Sequence, residues 1–376
     1  MTSHEQWVKK LPGSLAQAPT PASTLQSPYA RAKVSEAQAV EIAGRHLQLS
    51  NLEKVLYPAT GFTKGQVIDY YARIAPVLVP HLAGRPLTLK RYPNGVDQQY
   101  FFEKNATKHR PDWVKTAPIW SEGNNRDVNY ILCNDLPTLI WVANLAAIEL
   151  HPSLSLAKEI LTPTMMVFDL DPGPPANIVQ CCQVGMWLRE IFERFSLQSF
   201  PKTSGSKGLQ IYVPLNTATS YDVTKPFAHA LARLLETDHR DLVVSDMKKE
   251  LRVGKVLVDW SQNDDHKTTI AIYSLRARER QTVSTPVTWE EVERCLKKKD
   301  ASLLVFEAAQ TLQRVEKLGD LFAPVLKLKQ KLPKLAEAKP AAAGLEIAAQ
   351  AESPQRAGKA SAAKPRRAAP KKRRKV

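Results

Sequence analysis

The chain has 376 residues, 43% of them hydrophobic, and carries 53 Lys and Arg against 37 Asp and Glu, a formal charge of +16. No apolar run approaches the ~20 residues of a membrane helix. The N-terminus lacks a signal-peptide pattern, and the four cysteines, Cys133, Cys181, Cys182 and Cys295, show neither disulfide-framework nor zinc-ligand spacing. This predicts a reducing, intracellular chain of one large domain or two modest ones, with a polyanionic partner, nucleic acid first.

Residues 1–35 are rich in Ser, Pro, Ala and Gln and predict a flexible leader. Residues 36–330 form one compositionally even region. Thr63 is a plausible N-cap for a helix to about Val79, which Pro76 is expected to kink or shorten. Strands follow at Pro86–Arg91, Gln99–Glu103 and Val128–Cys133, a short buried helix at Leu136–Ala146, and strands at Ala147–His151 and Thr164–Leu170. Ile178–Phe195 has strong helical spacing. Strands at Gln198–Lys202 and Leu209–Leu215 flank a Ser-Gly-Ser-Lys-Gly turn. A helix at Thr224–Leu235, a strand at Val256–Trp260 and helices at Trp289–Leu296 and Leu303–Leu318 complete the series. The mixture predicts an α+β fold, helices packed on mostly antiparallel or mixed sheets. Residues 331–376 predict a disordered basic tail. From Glu337 onward it holds 11 Lys and Arg against 3 Asp and Glu. Its end, Pro370-Lys371-Lys372-Arg373-Arg374-Lys375-Val376, reads as a nuclear import signal for a eukaryotic host, a DNA-adhesive tail or an engineered fusion.

Three segments carry chemistry. In Met165-Met166-Val167-Phe168-Asp169-Leu170-Asp171-Pro172-Gly173-Pro174, an apolar run delivers two carboxylates two residues apart, on one face of a strand. Like charges so close call for a cation, and a pair of divalent metals stabilises both attacking and leaving oxygens in phosphoryl transfer. In the turn from Lys202 to Gly208, glycines let amides approach an anion, Ser204 has a hydroxyl to donate and Lys207 is a point charge. This is not a Walker P-loop, because a strand follows it. In Val256-Leu257-Val258-Asp259, a third carboxylate ends a strand, with Arg252 and Lys255 nearby.

The order of these motifs resembles the archaeo-eukaryotic primase superfamily, and within it the polymerase domain of bacterial non-homologous end-joining ligase D. Asn51-Leu52-Glu53-Lys54-Val55-Leu56-Tyr57-Pro58, Lys90-Arg91-Tyr92-Pro93-Asn94-Gly95, Phe101-Phe102-Glu103-Lys104, Ala147-Ile148-Glu149-Leu150-His151 and Tyr273-Ser274-Leu275-Arg276-Ala277-Arg278 carry the likeness over about residues 45–320. It implies a primase-polymerase fold and template-directed nucleotide transfer that fills gaps and extends ends in double-strand break repair. It implies Asp169, Asp171 and Asp259 as ligands of two Mn²⁺ or Mg²⁺ ions. Lys90, His151, Ser204, Lys207, Arg252 and Arg276 surround the incoming NTP or dNTP, with a taste for ribonucleotides. Asn51, Lys54 and Lys64 grip a DNA 5′-phosphate, and Phe101 and Phe102 stack on the template. The implied partners are 5′-phosphorylated gapped or ended DNA, Ku and a separate ATP-dependent DNA ligase, since no Lys-x-Asp-Gly ligase motif is found. The implied setting is the bacterial cytoplasm, at the nucleoid.

The residue chemistry adds three expectations. Lys54 and Lys64, ten apart near a helix start, make a reasonable phosphate site. Exposed aromatics suit base stacking, though strand alternation turns one of the two phenylalanines into the core. Gln210 stands where many superfamily members carry His, and it cannot titrate. Two other readings compete: a haloacid-dehalogenase-type phosphatase, whose strand expects Gly-Thr or Gly-Val where Pro172-Gly173 stands, and a binding module built around the basic tail.

Overall fold

A computed structural model describes residues 37–333. The predicted leader and nearly all of the predicted tail lie outside these residues. The chain opens with a hairpin, β1 (Gln38–Ile42) and β2 (Arg45–Leu49), then a small antiparallel pair, β3 (Val55–Tyr57) and β4 (Phe62–Thr63). Helix α1 (Lys64–Leu82) begins in a reciprocal capping box: the Gln66 amide donates to Thr63 Oγ1 and the Thr63 amide to Gln66 Oε1. It runs through both Pro76 and Pro80 rather than stopping at Val79. Burial of Tyr70, Tyr71, Ile74 and Leu78 holds it in place against the loss of two backbone donors.

The first large sheet is built on β5 (Pro86–Arg91), which pairs along its length with β9 (Ala147–Pro152). Its other edge meets β8 (Arg126–Leu132) and the three-residue β6 (Phe101–Glu103). Strand β7 (Thr116–Ser121) forms the outer edge, where Pro118 is tolerated. Helix α2 (Leu136–Asn144), capped by Asp135, packs with α1 over this layer.

The second large sheet has the order β11 (Phe200–Thr203), β12 (Leu209–Pro214), β10 (Met165–Pro172), β14 (Val256–Asp259) and β13 (Val243–Val244). All its pairings are antiparallel except β13 with β14. Helices α3 (Ile178–Arg194), α4 (Tyr221–Asp238) and α5 (Trp289–Lys298) cover one face, and α6 (Ala308–Leu318) follows. The helix expected from Leu303 begins only at Ala308, because Glu307 caps it with Gln310.

Strand β10 is shared between two cores. Met166, Phe168 and Leu170 enter the cluster with α3 and α4, whereas Met165 and Val167 face the cluster built on α1 and the first sheet. Asp169 and Asp171 continue the second of these faces, so period-two alternation places both acids between the layers. Buried tyrosines of β3 and α1 hold the backbone of β9 and of residues 273–276. Tyr57 Oη donates to the Arg276 carbonyl (3.0 Å), Tyr70 Oη to that of Tyr273 (2.8 Å) and Tyr71 Oη to that of Ile148 (2.5 Å).

Strand β14 reaches β10 only from Asp169 onward. Before that point the fully buried Asn263 takes its place. Its Oδ1 accepts from the Val167 amide (2.9 Å) and its Nδ2 donates to the Val167 carbonyl (2.8 Å). Asn263→Ala orphans both backbone groups, so it is expected to lower unfolding free energy by about 2–4 kcal/mol in denaturant titration. A change within about 0.5 kcal/mol, the size of an inert surface substitution, would show that the side chain is not part of the ladder.

Candidate active site

Four side chains lie on one line across the second sheet. Lys202 on β11 is opposite Gln210 on β12, Gln210 is opposite Asp169 on β10, and Asp169 is opposite Asp259 on β14. Register partners share a face, so the line reads cation, amide, acid, acid. Burial pushes the Asp169 carboxyl up to about 6, and the neighbouring Asp259 charge adds to this. The Gln210 hydrogen bond and the Lys202 ammonium act in the opposite sense. Lys202 is fully buried; its Nζ donates to Ser284 Oγ (2.6 Å), and burial draws it well below the usual lysine range.

Asp171 stands two residues on, about half exposed, with Arg252 Nη1 3.5 Å from its Oδ2. Asp259 is turned toward its own loop. Its Oδ1 accepts from the Ser261 amide (2.9 Å) and hydroxyl (2.6 Å), and its Oδ2 from Gln262 Nε2 (3.0 Å). Three side chains of metal-ligating type do not converge as a ready cage among the described residues. The donor set nevertheless suits a hard divalent cation. It offers carboxylate oxygens on neighbouring strands, one of them strained by burial beside a like charge, and beside them Gln210 Oε1, buried and without a hydrogen-bond partner.

Asp169 and Asp171 open onto a cavity of about 380 Å³, in the size range of ligand pockets. Its walls also include His151, Ser204, Lys207, Gln210, Gln262, Arg276 and Arg278. The turn between β11 and β12 is closed by Ser204, whose Oγ accepts from the amides of Ser206 (3.2 Å) and Gly208 (3.1 Å) while keeping its own proton to donate. Gly208 packs so close to β10 that a Cβ there would overlap the Leu170 carbonyl oxygen. Lys207 is exposed at the turn, and Arg278 reaches Ser206 Oγ. Lys90 and Arg252 are not among the cavity's lining residues; Arg252 approaches it through Asp171. Lys90 Nζ lies 3.8 Å from Glu149 Oε2 and 4.1 Å from the Tyr100 ring centroid.

The aromatic pair departs from expectation. Phe101 is 45% exposed and Phe102 55%; neither enters the core, because β6 is a short edge strand with no layer over it. As adjacent strand residues they point to opposite faces. Phe102 lies edge-on to His151 (6.3 Å), while Phe101 sits under the Arg91 guanidinium (5.0 Å).

Asn51, Lys54 and Lys64 do come together. Asn51 adopts φ 54°, Lys54 N donates to Asn51 O (3.0 Å) and Lys64 N to Lys54 O (2.8 Å). The Gly65 and Gln66 amides are also bonded, to Leu52 O and Thr63 Oγ1, so the start of α1 presents no open amides there. Anion attraction at this site therefore comes from the ammonium groups. Lys64 is buried with its Nζ on Ser50 O (2.6 Å). Burial, then the Lys54 and Arg91 charges, lower it to about 8.

Sequence reasoning missed Lys202, Gln262 and Glu149 as members of the site. Glu149 was the most legible of them: an acid inside the apolar run Ala147–Leu150 must be paired if it is buried.

Comparison with known proteins identifies the family. The family described as LigD, primase-polymerase domain, matches residues 63–322. The multifunctional non-homologous end joining protein LigD of Mycolicibacterium smegmatis is 42% identical over 281 residues, covering 74% of this chain and 36% of that protein. The bifunctional LigD of Bacillus subtilis is 31% identical over 274 residues, 73% of this chain and 43% of that protein. The chain thus spans well under half of the curated relatives it matches. A solved structure, the polymerase domain from Mycobacterium tuberculosis ligase D in complex with DNA, superposes with TM-score 0.70 at 39% identity, covering 76% of this chain and 99% of that one. With its acids on neighbouring strands beside a serine-lysine turn, the chain belongs to the LigD primase-polymerase domain family, nucleotidyltransferases of the archaeo-eukaryotic primase superfamily.

Proposed function

We propose that this chain adds nucleotides, template-directed, to 3′ ends at gaps and breaks in DNA during non-homologous end joining. The observation that carries this is the cavity whose lining joins Asp169 and Asp171 with Ser204, Lys207 and Arg276: acidic and basic groups around one space, as a nucleoside triphosphate and its counter-ions require. The three acids suit two Mg²⁺ or Mn²⁺ ions, which when bound lower the pKa of an attacking hydroxyl and neutralise the leaving pyrophosphate. Manganese and ribonucleotides are the preferences this reading assigns.

The protein's own part is positioning. Ser204 donates its hydroxyl proton to a phosphate oxygen, and Lys207 and Arg276 balance the triphosphate charge. Arg252 holds Asp171, while Ser261 and Gln262 hold Asp259. Gln210 carries no charge at any pH, so it orients Asp169 and transfers no proton. Phe102, exposed beside His151, offers the template base a stacking surface. Asn51, Lys54 and Lys64 receive the 5′-phosphate on the far side of the gap. Ku and an ATP-dependent DNA ligase are the partners that would bridge and seal the ends, in a bacterial nucleoid setting. No helix of the described residues is long and apolar enough to cross a membrane.

Asp259→Ala is expected to lower extension of a primer in a gapped duplex by on the order of a thousandfold, with DNA affinity nearly unchanged. Extension within about threefold of wild type would defeat the assignment of Asp259 as a ligand.

Lys54→Ala is expected to weaken binding of 5′-phosphorylated gaps by about tenfold, with little change on 5′-hydroxyl gaps. Equal weakening on both would argue against the pocket.

Lys64, at about 8, is charged below that pH and neutral above it. The affinity advantage of 5′-phosphorylated over 5′-hydroxyl DNA should therefore be full below pH 8 and shrink as pH rises through it, and Lys64→Met should flatten this profile. A wild-type advantage that is constant from pH 7 to 9.5 would contradict the placement of Lys64 beside the phosphate.

A further inference from the structure

Strand β9 carries one acid in the middle of an apolar stretch, and that acid, Glu149, is 2% exposed. A carboxylate at such depth is stable only among donors and cations. Its Oε2 accepts from His151 Nε2 at 3.0 Å and lies 3.8 Å from Lys90 Nζ. Its Oε1 accepts from the Ala277 amide at 3.1 Å and lies 3.3 Å from Arg276 Nε. Burial works to raise the Glu149 carboxyl. The His151 bond and the charges of Arg276, His151 and Lys90 outweigh it and hold the group at about 2, so it is ionised throughout the working range.

The backbone imposes this arrangement. Antiparallel register sets Lys90 on β5 directly across from Glu149, and His151, two residues on, shares its face. Arg276 arrives on a segment far along the chain that is held by the Tyr57 hydroxyl. One carboxylate therefore joins three elements. Among the described residues Lys90, His151 and Arg276 form no other ion pair. An ionised carboxylate only accepts, so His151 donates from Nε2 and its other nitrogen remains for substrate.

Those three partners are among the six residues that the polymerase reading sets around the incoming nucleotide. Lys90 and Arg276, two fixed cations, would repel and spread apart without a shared counter-ion. We propose that Glu149 is a positioning residue for nucleotide addition: without touching substrate, its carboxylate sets Lys90, His151 and Arg276 at the spacing that receives the triphosphate as a single array. The inference rests on the polymerase reading, and its test separates the two.

Glu149→Gln keeps the shape and the acceptor for the Ala277 amide but removes the charge. Binding of a non-hydrolysable nucleoside triphosphate without DNA is measured by calorimetry, alongside nucleotide kinetics on a gapped duplex. The variant is expected to raise Kd and nucleotide KM about tenfold while kcat changes less than about threefold and affinity for the gapped DNA is unchanged. Adding Lys90→Ala to it should cost clearly less than Lys90→Ala costs the wild type, because the array is already dispersed. Unchanged Kd and KM would overturn the proposal. So would strictly additive effects, or a raised KM accompanied by matching losses of kcat, DNA binding and melting temperature, which marks a purely structural tie. If Glu149→Gln does not fold, Glu149→Asp, which keeps the charge but draws it back by one methylene, is read in the same way: raised Kd and KM at intact kcat support the proposal and unchanged values overturn it. A wild-type chain that binds triphosphate yet incorporates none would defeat the polymerase reading while leaving the binding comparison decisive for Glu149.

Discussion

Asp169 stands directly across a strand ladder from Asp259, and the rest of the site is arranged around that costly pair. A sheet stabilises itself through favourable cross-strand partners, and two acids in register are the opposite. The surrounding structure supplies the compensation. Lys202 and Gln210 continue the same line on the next two strands, Arg252 approaches Asp171, and Ser261 and Gln262 take up the Asp259 oxygens. A sheet rigid enough to keep like charges together is also one that holds a divalent cation site without reorganising, which is what electrostatic catalysis of phosphoryl transfer asks of a protein.

The rigidity comes from β10 serving two cores at once. Its even-numbered residues pack under α3 and α4 and its odd-numbered ones face the α1 layer, until the odd positions become acids at the edge of the second core. The cavity is therefore a seam between layers. The basic wall is delivered from both sides of it: the β11–β12 turn belongs to the catalytic sheet, while His151 and Lys90 belong to the other. Tyr57 and Tyr70 bond the main-chain carbonyls of Arg276 and Tyr273, which fixes the backbone behind Arg276 without consuming its guanidinium.

Much of this was legible in the sequence wherever one periodicity dominated. Strand β5 was readable to the residue, and β10, α3 and β12 to within two at each end, because apolar runs end there at Arg91, Pro172, Phe195 and Pro214. Six strands were hidden for physical reasons. The β1–β2 hairpin turns at Ala43 and Gly44, with φ of 47° and 73°, and alanine is not a residue that announces such a turn. The β3–β4 pair and β13 are too short to show a period, and β7 carries a proline that only an edge strand tolerates. The acids and the turn were visible because their residue types are conspicuous. Lys202 was not, since nothing local shows that a lysine in a short strand will lie two strands away from an aspartate. Glu149 lies within a recognisable stretch, yet its role is not legible there, because its partners come from three separate segments. The exposure of both phenylalanines ran against strand alternation, which predicts a buried partner only where a second layer exists.

The central claim is that Asp169, Asp171 and Asp259 together hold divalent ions opposite a triphosphate seated on the Ser204–Lys207 turn. Anomalous diffraction from crystals grown with Mn²⁺ and a non-hydrolysable nucleoside triphosphate tests it directly. The account predicts anomalous peaks within coordination distance of all three carboxylates, with phosphate density against Ser204 and Lys207. Manganese bound elsewhere, or triphosphate density away from that turn, would contradict it.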